Sequence, residues 1–130
     1  MEPELKKLVI EKTVTSPYIE FDGEKRELVM MGRSRDENAH EFFVPLFVWL
    51  EKFLKSNPDQ ITLNVSFEYM ATSAGKQLFE LIKLLKKSET IGNSITVNWY
   101  YEEEDEDMEQ MGVDFSNLLE MKFNFGIWDN

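Results

Sequence analysis

The sequence predicts an α/β fold: a sandwich with a mixed sheet, an N-terminal β-hairpin and about three helices. Three observations predict it. Short apolar runs broken by Ser-Pro and Asp-Gly fill the first third. After residue 38, helical and alternating apolar patterns take turns. With 130 residues, 42% of them apolar and 13% aromatic, the chain can bury a core as one domain over residues 1–130. Alternating strand and helix patterns imply parallel strands joined by right-handed crossovers.

Leu5 to Thr13 holds the run Leu8-Val9-Ile10 and reads as a short strand, stopped by Thr15-Ser16-Pro17. Tyr18 to Phe21 and Glu27 to Gly32 read as two arms about an Asp22-Gly23 hairpin turn. The opening is a hairpin or meander. Asp36 or Ser34 is expected to cap the first helix, with Asn38 in its first turn. Phe43, Phe47, Leu50 and Leu54, with Leu46 and Phe53 beside them, form its apolar stripe to about Ser56. Pro45 removes a backbone donor there, so a kink or irregular first turns are expected.

Residues 61–70 alternate strictly. Ile61, Leu63, Val65, Phe67 and Tyr69 are expected on one face; Thr62, Asn64, Ser66 and Glu68 on a partly solvated one. A second helix runs from Ser73 to about Glu89, burying Leu78, Leu81, Ile82 and Leu85. Gly92-Asn93 turns the chain into a strand from Ser94 to Tyr101. The acidic run from Glu102 to Glu109 begins a third helix, and Lys122 to Trp128 closes as a strand. The order is β-β-β-α-β-α-β-α-β.

The net charge is −11. Residues 91–130 carry ten acids against Lys122, so most of the imbalance lies there. Such a surface repels nucleic acid and anionic membrane and suits a basic protein partner, or simply solubility. With no cysteine, disulfides, thiolate zinc sites and a cysteine nucleophile are excluded. The N-terminus does not read as a signal peptide, and no apolar run reaches the roughly 20 residues of a membrane span. A cytoplasmic protein, with no membrane insertion, is expected.

The junction Thr72-Ser73-Ala74-Gly75-Lys76 concentrates the useful chemistry. It delivers two hydroxyls to a helix N-terminus, where outward N–H groups favour oxygen acceptors and phosphate. Thr72 or Ser73 is a helix cap there, or a phosphoryl acceptor. Gly75-Lys76 is no phosphate-binding loop: Met70 stands where its first glycine belongs and Gln77 where Ser or Thr belongs. His40, the only histidine, has no G-x-S-x-G elbow and reads as a surface or packing residue. Trp49 and Trp99-Tyr100-Tyr101 read as packing groups. Glu102, Glu103, Glu104, Asp105, Glu106 and Asp107 lack the glycine and ligand spacing of a calcium loop. They read as a solvated face or a docking surface for a basic partner. No catalytic residue, metal site or cofactor is expected.

Several segments carry a resemblance: Gly32-Arg33-Ser34, Glu37-Asn38-Ala39, Phe43 through Glu51, Tyr69 with Thr72-Ser73, and Val97-Asn98-Trp99-Tyr100-Tyr101-Glu102-Glu103 with Asp105-Glu106-Asp107-Met108. In this order they resemble the SiaC-type bacterial regulatory phosphoproteins. That resemblance implies a STAS-like fold, similar to anti-sigma-factor antagonists. It also implies a threonine phosphorylated by a histidine-kinase-like Ser/Thr kinase and dephosphorylated by a PP2C-type phosphatase. In the characterised branch the unphosphorylated form binds and activates a diguanylate cyclase, linking it to cyclic-di-GMP. By motif position the acceptor falls on Thr72, with Ser73 a lesser candidate. Ala71 departs from an expected asparagine, and Arg35-Asp36 from Tyr-Pro. The chain is thus expected to be a non-enzymatic partner switch, with Asn38 and residues 102–107 contacting partners. The alternatives are a constitutive acidic adaptor, or a small α/β domain holding an anionic ligand at the Thr72-Ser73 helix N-terminus.

Overall fold

The structure, a computed structural model, describes residues 5–35, 38–89 and 92–128. Its elements follow the expected order: β1 (Leu8–Ile10), β2 (Tyr18–Asp22), β3 (Glu27–Ser34), α1 (Ala39–Lys55), β4 (Gln60–Met70), α2 (Thr72–Glu89), β5 (Ser94–Tyr101), α3 (Glu106–Leu118) and β6 (Phe123–Ile127). The strands form one sheet in chain order. β1, β2 and β3 make an antiparallel meander, and β3 to β6 run parallel. Each parallel step moves the same way across the sheet. Right-handed crossovers therefore put all three helices on one face. No helix among the described residues is long and apolar enough to cross a membrane.

Burial follows from that layering. Phe21, Leu28, Leu63, Val65 and Trp99 point from the sheet into the helical layer. Leu78, Leu81, Ile82 and Leu85 meet them from α2, all fully buried as their spacing predicts. Each such side chain contributes roughly 1.5–3 kcal/mol by leaving water. The opposite face is polar and carries an amide ladder. Asn64, Asn98 and Asn124 share one register across β4, β5 and β6. Asn98 Nδ2 donates to Asn64 Oδ1 at 2.8 Å, and Asn124 Nδ2 to Asn98 Oδ1 at 3.1 Å.

Several local expectations change. The β2–β3 turn spans Gly23 to Arg26, not a two-residue loop. Asp22 Oδ1 accepts from the amides of Glu24 and Lys25, and Arg26 takes the left-handed φ of 57°. Asn38, not Ser34, occupies the N-cap of α1, and its side chain makes no capping bond. Ser34 is the buried last residue of β3, while Asp36 lies outside the described residues. α1 runs unbroken through Pro45. Its buried stripe is rotated from the expected one: Phe43, Leu46, Trp49, Leu50 and Phe53 are buried, while Phe47 and Leu54 are half-buried. Trp49 turns inward with that stripe, and its indole N–H is satisfied by the Lys6 carbonyl at 2.7 Å.

Tyr69 is the largest departure. The expected alternation breaks at a bulge, where Gly32 pairs with Phe67 but Arg33 pairs with Tyr69. One extra residue in β4 reverses the faces beyond it. Tyr69 is therefore 50% exposed and Met70 is buried instead.

Candidate functional site

The βα loops after β3, β4 and β5 leave the carboxyl ends of adjacent parallel strands. These loops and the helix starts they lead into carry Asn38, Thr72-Ser73 and Glu102–Asp107 respectively. The fold thus gathers the sequence-predicted site residues along one edge, the usual binding edge of such sheets.

Thr72 is built by the end of β4. The Ala71 amide donates to the Ser34 carbonyl at 2.8 Å, tying the junction to β3. The Ala71 carbonyl accepts from the Gly75 amide at 3.0 Å, so Ala71 occupies the cap position and Thr72 is the first helical residue. Neither hydroxyl-bearing residue stands at the cap, and Ala71 has no side-chain oxygen to cap with. Thr72 is exposed, Ser73 half-buried and Ala74 fully buried. The junction turns one hydroxyl outward beside the first N–H groups of an 18-residue helix.

Electrostatics distinguish this helix. α2 has no acidic residue in its first turn, whereas α1 has Glu41 and α3 has Glu106, Asp107 and Glu109. The positive end of its macrodipole is not offset by its own carboxylates. Exposed Lys76 lies four residues on from Thr72, on the same helical side. The bulge places further groups beside this end. Arg33 Nε pairs with Glu68 Oε2 at 2.7 Å, and the Arg35 guanidinium lies 5.7 Å from the centre of the Tyr69 ring. Sequence reading missed Arg33, Arg35 and Tyr69 as neighbours of the site, because only the bulged register reveals them.

The acidic segment divides into structural and free carboxylates. Glu102, Glu103 and Glu104 precede the third helix instead of opening it. Asp105 is its N-cap, and its Oδ1 accepts from the Met108 amide at 3.0 Å. Glu106 and Asp107 occupy the first turn and are exposed, as are Glu103 and Glu104. Glu109 Oε2 accepts from the Tyr101 hydroxyl at 3.0 Å, which raises the phenol above its usual range. His40 lies exposed on α1 near the same edge.

Comparison with known proteins agrees with this fold. The family model of the SiaC family regulatory phosphoprotein matches residues 10–127. An uncharacterised protein of Pseudomonas aeruginosa (strain UCBPP-PA14) is 28% identical over 108 residues, which are 83% of this chain and 86% of that protein. The crystal structure of apo-SiaC from Pseudomonas aeruginosa matches with a TM-score of 0.84 and 26% identity, over 95% of this chain and 99% of that one. SiaC in the crystal structure of diguanylate cyclase SiaD with its activator SiaC, from the same organism, matches with a TM-score of 0.82 and 28% identity, over 92% and 97%. The chain therefore belongs to the SiaC family of regulatory phosphoproteins, a regulator and not an enzyme.

Proposed function

We propose that this chain is a cytoplasmic partner-switching protein, one domain over residues 1–130, controlled by reversible phosphorylation of Thr72. One observation carries the reading: Thr72 is exposed on the first turn of the one described helix with no acid there. Ser73 is the poorer acceptor because it is half-buried. A histidine-kinase-like Ser/Thr kinase adds the phosphate and a PP2C-type phosphatase removes it. The downstream partner is a diguanylate cyclase, as SiaD is for its activator SiaC.

Phosphorylation adds about −1.5 to −2 charge and three acceptor oxygens. The α2 N-terminus and Lys76 stabilise that charge, so the fold persists. The partner, by contrast, meets a bulky dianion where it met a hydroxyl. Desolvation of that dianion in an interface costs several kcal/mol. Asn38 and Glu102–Asp107 flank Thr72 at the neighbouring strand-to-helix junctions and fix the register of the partner.

Intact-mass measurement and phosphosite mapping on protein from its native cells test the reading. A species about 80 Da heavier, modified at Thr72, is expected. Only unmodified protein while the kinase is active would favour a constitutive acidic adaptor.

A further inference from the structure

α1 carries a second surface that does not depend on Thr72. Val44, Val48, Lys52 and Lys55 form one stripe along it, spaced by three or four residues. Val44 is 44% and Val48 48% exposed, on a helix that buries its opposite side. The stripe forms one wall of a groove of about 1180 Å³, with the nearly buried rings of Trp49 and Phe53 as its floor. The segment from Leu5 to Leu8 forms the other wall, fixed where the Trp49 indole donates to the Lys6 carbonyl. This volume exceeds the roughly 300–1,000 Å³ of small-molecule sites. A seat for a segment of polypeptide is of that larger kind.

Its charge is opposite to that of the chain. Among the described residues, Lys6, Lys7, Lys52 and Lys55 line it with a single carboxylate, Glu24, in a protein of net charge −11. Lys7 also pairs with Glu20 at 3.6 Å, which leaves three lysines without that neutralisation by Glu20. An apolar floor between basic rims selects apolar anchors flanked by acids. Anionic membrane offers the acids too, but the charge of the whole chain repels it.

We propose that this groove docks an acidic amphipathic helix from a protein partner. Its apolar side chains seat on Val44, Val48 and Trp49, and its carboxylates pair with Lys52, Lys55 and Lys6. α1 runs back across the sheet from the Thr72 edge, so the lysine end lies at the opposite edge. The two surfaces can be occupied together.

The test uses the full chain and a fluorescein-labelled peptide of 17 residues, the length of α1. It carries leucine at one helical stripe and glutamate elsewhere; a control replaces each glutamate with lysine. Anisotropy is expected to show binding of the acidic peptide alone, with amide NMR shifts on residues 5–8 and 44–56. Val48→Glu and the double change Lys52→Glu with Lys55→Glu should each weaken it about tenfold or more, with circular dichroism unchanged. The lysine pair is exposed, so it serves even where Val48→Glu perturbs folding. Absence of binding, equal binding of the lysine peptide, or indifference to both variants overturns the proposal. So does co-sedimentation with phosphatidylserine vesicles in place of peptide binding, which assigns the groove to a membrane surface.

Discussion

Gly112 on α3 lies against the indole edge of Trp99 on β5: a Cβ added at Gly112 would stand 2.7 Å from the ring's Cδ1 and Nε1. The same indole donates to the Met108 carbonyl at 3.0 Å and is fully buried. One side chain thereby fixes α3, and with it the acidic loop beside Thr72. Gly112→Ala adds a methyl that the buried ring has no room to avoid. Overpacking of this kind costs about 1–3 kcal/mol, and alanine's better helix propensity returns only about 1. Chemical denaturation should show a net loss; stability at or above wild type would contradict the contact.

Substitution of Thr72 should separate stability from binding. Thr72→Ala is expected to leave stability within about 0.5 kcal/mol, because the residue is exposed. Thr72→Asp places a carboxylate at the α2 N-terminus, four residues before Lys76. It should raise stability by roughly 0.3–1 kcal/mol at low salt. Thermal melts of both variants check this, and a destabilised Thr72→Asp would remove the electrostatic basis of the site.

Asp105 is predicted to act differently from its acidic neighbours. Its carboxylate caps α3, so Asp105→Ala should cost about 1 kcal/mol. Glu103→Gln and Glu104→Gln, on exposed positions before the helix, should leave stability unchanged and weaken partner binding. Equal destabilisation by all three would mean that the segment serves folding alone.

Two tyrosine–carboxylate pairs contribute to the pH response. The bond to Glu109 raises Tyr101, and the bond to Tyr18, with Lys7 nearby, lowers Glu20. A raised folded pKa stabilises below the ordinary tyrosine range, and that contribution is lost as pH rises through the raised value. A lowered one stabilises above the ordinary carboxylate range, and is lost as pH falls through the lowered value. Ultraviolet titration should place Tyr101 above an ordinary phenol in wild type and nearer to one in Glu109→Gln. No change in that variant would count against the bond.

The order of elements was legible because α2 and β4 have strong, unambiguous periods. Leu78, Leu81, Ile82 and Leu85 have no competing apolar face, so all four were placed correctly. α1 is apolar on more than one side, and the packing of Phe43, Leu46, Leu50 and Phe53, with the Trp49–Lys6 bond, settles which side turns inward. Tyr69 was misplaced because its face depends on a bulge set by pairing with Arg33, 36 residues earlier in the chain. The same distance effect hid the asparagine ladder, whose members align only once the register is known. The place of Thr72 at the α2 N-terminus was readable from the strand-to-helix junction; Arg33 and Arg35 beside it were not.

The most direct test is the affinity of a diguanylate cyclase, the proposed partner, for this protein, by calorimetry, with and without phosphate on Thr72. The unmodified protein and Thr72→Ala are expected to bind alike. Binding is expected to be about a hundredfold or more weaker when Thr72 is phosphorylated, the scale of several kcal/mol at an interface. Equal affinity of the phosphorylated and unmodified forms would contradict the switch.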